Sequence, residues 1–219
     1  MMFWKRKRKV EARACFWTTD QGCLDGFLAD AKALFEQRRH VLVIGHFSMT
    51  GERVSQQLSS AGVHSTVLSA AEELAPHRLE WLCRGGSVAI IPYPLLDRAA
   101  PFAAAEPNPL AQAAILVPEM YPTSGREARV GEFAAGLPFE VSITLYTSLQ
   151  APLMQMFGSE KIVALMHRLG MDTAACLEHP FLGDSLRAAQ RRIDSRIQQD
   201  APAASQREWF ERNLPGGGL

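Results

Sequence analysis

The sequence predicts an α/β domain with a mainly parallel sheet, helices on both faces and a helical C-terminal extension. Three observations carry this prediction. Short aliphatic runs alternate with apolar stripes of helical length, the central runs lack the polar alternation of a half-exposed strand, and the pattern is helical after residue 147. We therefore divide the chain into an N-terminal segment (1–19), an α/β body (20–147), a helical extension (148–214) and a flexible tail (215–219).

Five short runs are predicted to be strands. Residues 41–44, Val-Leu-Val-Ile, contain no polar position and are typical of a strand buried on both faces. Brief strands are also predicted at residues 66–68, 88–91 and 115–117, the last two ended by prolines, and a final alternating strand at residues 141–146. Because parallel strands need a crossover between them, this spacing favours a parallel sheet.

Helical periodicity fills the intervals between these strands. The first helix is predicted to begin at Asp20 and the second to end at Gly62. A capping-box pattern at residues 69–72 predicts another helix start, and residues 97–112, rich in Ala and Pro, predict a long loop. In the extension, apolar stripes predict helices at residues 159–170 and after Asp184, and a second capping box stands at residues 205–208.

Composition limits the classes of function. The 219 residues carry 23 Lys and Arg against 23 Asp and Glu, so no whole-molecule field attracts nucleic acid or anionic lipid. The four cysteines form no Cys-x-x-Cys pair, which favours reduced thiols. No apolar run approaches the ~20 residues of a membrane-spanning helix, and the basic start has no apolar stretch of a secretory signal. We expect a soluble cytoplasmic protein.

The N-terminal segment is strongly basic and contains aromatic residues. Residues 1–13 carry six Lys or Arg and one Glu, a local charge of +5. Aromatic rings beside such a run suit an anionic membrane surface, where each cation contributes about 1 kcal/mol. Nucleic acid and a solvated terminus are the alternatives. The residues concerned are Phe3, Trp4, Lys5, Arg6, Lys7, Arg8 and Lys9.

Two stretches in the C-terminal half resemble a known family. Residues 157–171 contain Phe-Gly-Ser-Glu-Lys-Ile and Leu-Met-His-Arg-Leu-Gly-Met, and residues 177–193 contain Leu-Glu-His-Pro and Ala-Ala-Gln-Arg-Arg-Ile. They resemble the end of the second nucleotide-binding domain of SecA, the preprotein translocase ATPase, and the start of its scaffold helix. The earlier strands fall where those of that domain would, so the resemblance spans residues 38–197. It implies a RecA-like, helicase domain 2-like fold.

The motor motifs of that family are absent or altered. No Gly-x-x-x-x-Gly-Lys-Ser/Thr phosphate loop occurs in the sequence. Residues 92–98, Pro-Tyr-Pro-Leu-Leu-Asp-Arg, stand where the family has Gly-Arg-Gly-Thr-Asp, and residues 126–134 replace its Gln-x-x-Gly-Arg-x-Gly-Arg run. An arginine finger contributes about 10³–10⁵-fold in rate. Since both the phosphate loop and the arginine-finger pattern are missing, we expect no autonomous ATPase activity and no cofactor. In an alternative interpretation, Arg98, Arg126 or Arg129 completes an ATP site of a partner.

Two further groups are candidate contacts. His46 follows a predicted parallel strand, at the edge of the sheet where ligands bind, and Ser48 and Thr50 follow it. The absence of a Gly-x-Ser-x-Gly elbow argues against a hydrolase, so we predict either a helix cap or a weak anion contact. In SecA the scaffold helix packs along other domains. Here its apolar positions predict an interaction surface unless they fold back; they are Ile193, Ile197, Trp209 and Phe210.

These observations lead to one expected function and two alternatives. We expect a non-catalytic SecA-like pseudo-motor domain that acts as a protein-interaction or accessory module. Its partner would be the translocase or related membrane-associated machinery, with the basic segment contacting the inner face of the membrane. The alternatives are a nucleotide-binding subunit that completes an ATP site in trans, and a nucleic-acid-binding module, for which the neutral body shows no basic stripe.

Overall fold

A single six-stranded sheet organises the molecule. The computed structural model describes residues 10–98, 112–156, 158–168, 175–178 and 180–214. The strands are β1 (Glu11–Trp17), β2 (His40–Gly45), β3 (Ser65–Val67), β4 (Val88–Pro92), β5 (Gln112–Val117) and β6 (Glu140–Ser148). Their order is β1-β6-β5-β2-β4-β3 and every pair is parallel. The predicted α/β class with a parallel sheet is confirmed.

Helices cover both faces of this sheet. On one face, α1 (Asp20–Glu36) and α2 (Ser48–Ser60) pack against the aliphatic side chains of β2, β4 and β5. On the other face lie α3 (Pro76–Arg84), α4 (Tyr93–Arg98) and α5 (Gly125–Gly136). All six residues of β2 are buried, because both faces of this central strand are covered. The run at residues 41–44 was apolar throughout for the same reason.

The strand β1 was not predicted and extends the sheet before residue 20. It pairs with β6 from Glu11 opposite Ser142 to Trp17 opposite Ser148. Its charged, exposed first half resembles a solvated tail, as is usual for an edge strand. The sheet therefore includes residues that the sequence analysis assigned to the N-terminal segment. The predicted contact residues 3–9 lie outside the described residues.

Three local details differ from the sequence expectations. Thr19, and not Asp20, caps α1, since its side chain accepts the N–H of Gly22. The pattern at residues 69–72 begins only a short 3₁₀ helix, Ala71–Leu74. The helices α4 and α5 lie where no helix was predicted. The prolines at the end of β4 mask the helical pattern of α4, and the glycines within α5 mask that of α5. As expected, α2 stops at Gly62, whose φ of +74° favours glycine.

The extension folds back onto the carboxyl edge of the sheet. It consists of α6 (Pro152–Gln155), α7 (Ser159–Arg168), α8 (Pro180–Asp194) and α9 (Gln206–Asn213). A third apolar cluster joins it to Phe16, Phe47 and Tyr121 of the body. Among the described residues, no helix is long and apolar enough to cross a bilayer.

The predicted interaction surface is corrected by this packing. Ile193 and Trp209 are completely buried in the third cluster, and Ile197 and Phe210 are half-buried against it. The apolar stripe for which the sequence predicted an interaction surface packs here within the chain. Two of the four predicted residues are therefore inaccessible to a partner.

Candidate functional site

Two cavities open at the carboxyl edge of the sheet, where ligands bind in open α/β sheets. The first, of about 360 Å³, is called the His46 cavity. The second, of about 310 Å³, is called the Glu119 cavity. Residues that line the His46 cavity include His46, Ser48, Gly51, Tyr121, Arg126 and Pro202. Residues that line the Glu119 cavity include Asp20, Thr50, Arg53, Glu119, Thr147 and Ser148.

His46 lies at the wall of its cavity as a neutral side chain. It follows β2 directly, is 4% exposed, and contacts the rings of Tyr93 and Tyr121 at centroid distances of 5.2 and 5.5 Å. Within the part of the chain that the structure describes, neither ring nitrogen has a hydrogen-bond partner. Burial, reinforced by the positive charge of Arg126, lowers the pKa of His46 to about 3. The imidazole therefore offers an anion no positive charge at neutral pH.

Arg126, predicted as a nucleotide contact, is held by contacts within the chain. Its guanidinium carbon lies 3.6 Å from the ring centroid of Tyr121 and 4.5 Å from that of Tyr93. One terminal nitrogen lies 3.6 Å from the Asp200 carboxylate, and the other donates to the carbonyl of His46 at 3.4 Å. A planar group that stacks on aromatic rings while its separate nitrogens contact two acceptors is typical of arginine rather than lysine. The cation is thus positioned and paired within its own fold.

Asp200 connects the helical extension to the residues of this cavity through three contacts of its carboxylate. Its carboxylate accepts hydrogen bonds from the Tyr121 hydroxyl at 2.5 Å and from the Trp209 indole N–H at 2.6 Å, besides pairing with Arg126. Burial and the Asp200 hydrogen bond raise the pKa of Tyr121. The burial of Trp209 is therefore accompanied by a partner for its N–H group, as buried indoles require.

The N-terminal turn of α2 is contacted by the segment that follows Asp200. The N–H of Met49 donates to the carbonyl of Ala204 at 3.1 Å, which satisfies one of the free N–H groups of the helix start. Phe47, not Ser48, is the N-cap residue and provides no side-chain cap, while Ser48 is exposed. The C-terminal segment thus occupies part of the position where an anion would meet this helix.

The other two predicted arginines have different environments. Arg129 donates to the carbonyl of Leu96 at 2.7 Å and lies 3.3 Å from the Glu132 carboxylate. Arg98 ends α4 and is exposed. Neither residue is among those that line the His46 cavity. Of the three arginines, only Arg126 lies at the carboxyl-edge cavity.

The Glu119 cavity contains a carboxyl group with a strongly altered pKa. Burial raises the pKa of Glu119 to about 7, against the opposing effects of the Thr50 hydroxyl, which donates to it, and of Arg53. The buried hydroxyl of Thr147 also lines this cavity and has no partner among the described residues. The predicted anion group is therefore divided: His46 and Ser48 face one cavity, and Thr50 faces the other.

Sequence reasoning missed several residues that organise this edge. Besides Tyr121 and Asp200, they include Glu127 of α5, which accepts a hydrogen bond from Gln190 of α8 at 2.8 Å. Burial raises the pKa of Glu127 to about 8. Gln190 also donates to the Tyr121 carbonyl at 2.9 Å. These partners lie 63 to 79 residues apart in the sequence, and no local spacing signals them.

Comparison with known proteins finds SecA over part of the chain. No model of a known protein family matches. Protein translocase subunit SecA from Acidithiobacillus ferrooxidans is 45% identical over 51 residues, which is 23% of this chain and 6% of that protein. SecA from Methylococcus capsulatus is 40% identical over 55 residues, 25% of this chain and 6% of that protein. SecA from Pelotomaculum thermopropionicum is 37% identical over 79 residues, 32% of this chain and 9% of that protein.

Among solved structures, this chain aligns with the C-terminal part of the Fun30 ATPase domain. The alignment covers 79% of this chain and 54% of that chain, with a TM-score of 0.46 and 13% identity. The resemblance to SecA that the residues indicated is confirmed by the sequence matches alone. Those matches cover less than a tenth of the SecA proteins concerned. This chain is therefore similar to SecA over about a quarter to a third of its length.

Proposed function

We propose that this chain is a non-catalytic, SecA-like domain that acts as a protein-interaction or accessory module of the translocase or related membrane-associated machinery. The observation that carries the proposal is the engagement of Arg126 by Asp200, Tyr121, Tyr93 and the His46 carbonyl. An arginine finger acts by meeting charge that develops on a transferring phosphoryl group. An arginine that already has an anionic partner and two aromatic faces would have to lose them first.

Two other features support a role without catalysis. The sequence has no phosphate loop that would hold a nucleotide's β- and γ-phosphates. The carbonyl of Ala204 already accepts an N–H of the first turn of α2. Both the cation and a backbone N–H group that an anion would need are therefore used in binding the helical extension.

The surface that we propose for the partner is on the helical extension. Leu165 of α7 is 55% exposed and Phe181 of α8 is 61% exposed, whereas Ile193 and Trp209 of the same extension are buried. A contiguous exposed apolar patch marks a protein contact, and we propose that Leu165 and Phe181 belong to one such patch. They replace the buried pair as the residues expected to bind.

A nucleotide assay tests the non-catalytic role. We expect no turnover and no shift in melting temperature when the purified chain is given millimolar ATP or ADP with Mg²⁺. A nucleotide that bound would raise the melting temperature, because binding stabilises the fold by RT ln(1 + [L]/Kd). Turnover abolished by Arg126→Ala would contradict the proposal. A shift without turnover, or a change in the ATPase rate of added SecA that Arg98→Ala or Arg129→Ala removes, would favour an ATP site completed in trans.

A binding assay tests the interaction surface. We expect purified SecA to bind the immobilised chain, and Leu165→Asn and Phe181→Asn each to weaken this binding at least about tenfold, the scale of an interface hot spot. Trp81→Asn is the matched control, since Trp81 is 79% exposed but belongs to α3 in the body. Equal losses in all three variants, or no binding of SecA, would contradict the assignment.

The proposed location is the cytoplasmic face of the membrane, reached through the basic segment at residues 3–9. We expect the chain to sediment with vesicles rich in anionic lipid but not with zwitterionic vesicles, and to lose this binding at high salt. A variant with Lys5, Lys7 and Lys9 changed to Gln should bind more weakly. Binding to single-stranded nucleic acid in preference to anionic vesicles would favour the nucleic-acid alternative.

A further inference from the structure

Two cysteines and a carboxylate, distant in the sequence, meet at the β1 edge of the sheet. Cys15 belongs to β1, and Cys176 and Glu178 belong to the segment at residues 175–178. The two sulfur atoms and a carboxylate oxygen all lie within 4.8 Å of one another. Neither cysteine was singled out in the sequence, because 161 positions separate them.

A short antiparallel bridge creates this cluster. The N–H of Phe16 donates to the carbonyl of Leu177 at 3.2 Å, and the N–H of Leu177 donates to the carbonyl of Phe16 at 2.8 Å. Side chains alternate along extended backbone. Phe16 and Leu177 therefore pack in the third apolar cluster, while their neighbours Cys15, Cys176 and Glu178 meet on the opposite side.

We propose that Cys15, Cys176 and Glu178 form a binding site for a thiophilic divalent cation of the Zn²⁺ class. The Cys15 thiol donates a hydrogen bond to Oε1 of Glu178 at a sulfur–oxygen distance of 3.6 Å. Tetrahedral Zn²⁺ with Zn–S and Zn–O bonds of about 2.3 and 2.1 Å requires a sulfur–oxygen distance of about 3.6 Å. Two thiolates select Zn²⁺ over the hard cations Mg²⁺ and Ca²⁺.

The surroundings complete the electrostatics of this site. Arg13 donates to the same Glu178 oxygen at 3.1 Å and lies 3.7 Å from the Asp30 carboxylate, which also accepts from the Tyr146 hydroxyl at 2.6 Å. Such hydrogen bonds orient the carboxylate ligand, as outer-shell partners do in metal sites. Two thiolates, one carboxylate and Zn²⁺ sum to a charge of −1, which Arg13 compensates.

Ion binding at this site replaces protons. A divalent cation binds cysteine as the thiolate, so each thiol must lose its proton when the ion binds. Binding would form two Zn–S bonds and one Zn–O bond and release both thiol protons to the solvent. Glu178 is exposed, so a water molecule from the solvent side can complete four-coordination.

The bound ion would fasten the helical extension to the edge strand. In the part of the chain that the structure describes, residues 175–178 are joined to β1 by two backbone hydrogen bonds, the Arg13–Glu178 ion pair and the Cys15–Glu178 hydrogen bond. An ion that binds only the folded chain stabilises it by mass action. The site would therefore act on the same junction of body and extension that Asp200 holds at the carboxyl edge.

Metal titration of the full chain under reducing, metal-free conditions tests this site. We expect one Zn²⁺ per chain in competition with a chromophoric chelator, and Co²⁺ to give a sulfur-to-metal charge-transfer band with tetrahedral d–d intensity. Cys176→Ser should weaken Zn²⁺ binding at least about 100-fold and Glu178→Gln at least about 10-fold. Cys83→Ser is the matched control, since Cys83 is also a half-buried thiol but packs on the other face of the sheet.

The outcomes separate the proposal from its alternatives. Zn²⁺ should raise the melting temperature of the wild-type and Cys83→Ser chains and leave that of Cys176→Ser unchanged. If Cys176 only supports the fold, Cys176→Ser should keep the Zn²⁺ affinity of the wild type. Unchanged Zn²⁺ affinity in Cys176→Ser, or a Co²⁺ spectrum without thiolate bands, would overturn the site. A Cys15–Cys176 disulfide formed with an oxidant, in a chain that binds no Zn²⁺ when reduced, would overturn it as well.

Discussion

The two cavities at the carboxyl edge accommodate buried ionisable groups in opposite ways. At the His46 cavity, the Arg126 guanidinium lies 3.6 Å from Asp200 and stacks on the rings of Tyr93 and Tyr121. In the Glu119 cavity, the carboxyl group has a hydroxyl partner and its pKa rises to about 7, so a large part of it is protonated at neutral pH. A buried carboxyl group can avoid the cost of burying a charge by taking up a proton, whereas a guanidinium cannot lose its proton and therefore needs partners.

The helical extension contributes to both cavities. Pro202 and Ala203 line the His46 cavity, and Ala151, Pro152 and Ser205 line the Glu119 cavity. The extension supplies an ionic partner only to Arg126 of the first cavity, through the Asp200 carboxylate among the described residues. The junction of body and extension should therefore depend on the charge of Asp200.

Asp200→Ala should lower the free energy of unfolding by about 3 kcal/mol. It removes the partner of Arg126 and leaves the buried Tyr121 hydroxyl and Trp209 N–H without acceptors, each a costly loss. Urea denaturation at pH 7 measures the change. Asp184→Ala is the control, because Asp184 pairs with Arg187 at the surface and should change stability by less than about 0.5 kcal/mol. Equal effects of the two substitutions would contradict the role of Asp200.

Glu127→Gln should remove a pH dependence of stability. The pKa of Glu127 is about 8 in the folded chain, above its ordinary value of 4.5, so between these pH values the folded state holds a proton that the unfolded state has lost. Stability therefore falls as pH rises through this window, by at most about 1.4 kcal/mol per pH unit.

The useful interval for this test lies between pH 7 and 8. His46, with its pKa lowered to about 3, acts in the opposite direction, since stability is lost as pH falls below 6.5. Above pH 7 Glu119 also contributes little further change, so the slope there reports mainly Glu127. Urea denaturation at several pH values should show a steeper slope in wild type and in Glu132→Gln, an exposed control, than in Glu127→Gln. An equal slope in all three chains would contradict the assignment.

Thr50→Val should have the smallest effect, about 1 kcal/mol, since it removes one hydrogen bond and preserves shape. Because the Thr50 hydroxyl lowers the pKa of Glu119, its loss should raise that pKa above 7. Carboxyl ¹³C NMR titration follows Glu119 directly. Thr66→Val is the control, as its hydroxyl bonds Ser87 at the far edge of the sheet. The same Glu119 titration in Thr50→Val and wild type would show that the hydrogen bond does not tune the carboxyl group.

Local sequence patterns predicted five of the six strands and most of the helices. The runs at residues 41–44, 88–91 and 115–117 are apolar because those strands are buried on both faces, and that burial is visible in the sequence itself. The capping pattern at residues 205–208 likewise predicted α9, where Ser205 accepts the N–H of Glu208. By contrast β1, at the sheet edge, has too few buried positions to reveal its period.

The candidate site was predicted only in part. His46 and Arg126 were identified from their places after a strand and in a motif position, but their partners Tyr121 and Asp200 were not. The stripe with Ile193 and Trp209 was predicted to be an interaction surface unless it folds back, and it does fold back, onto Phe47 and Tyr121 of the same chain. Whether an apolar stripe faces a partner or the core of its own chain depends on how the chain folds back. The spacing of apolar residues shows that a stripe exists but not what covers it.

The sequence alone determined the class of the fold, the order of its central strands along the chain and the absence of a phosphate loop, because each depends on neighbouring residues. The tertiary structure decided which charges are compensated and which thiols meet. Asp200 reaches Arg126 across 74 positions, and Cys176 reaches Cys15 across 161. Such contacts form where the sheet order and the returning extension bring distant segments together. Their energies depend on distance and burial, which the sequence does not contain.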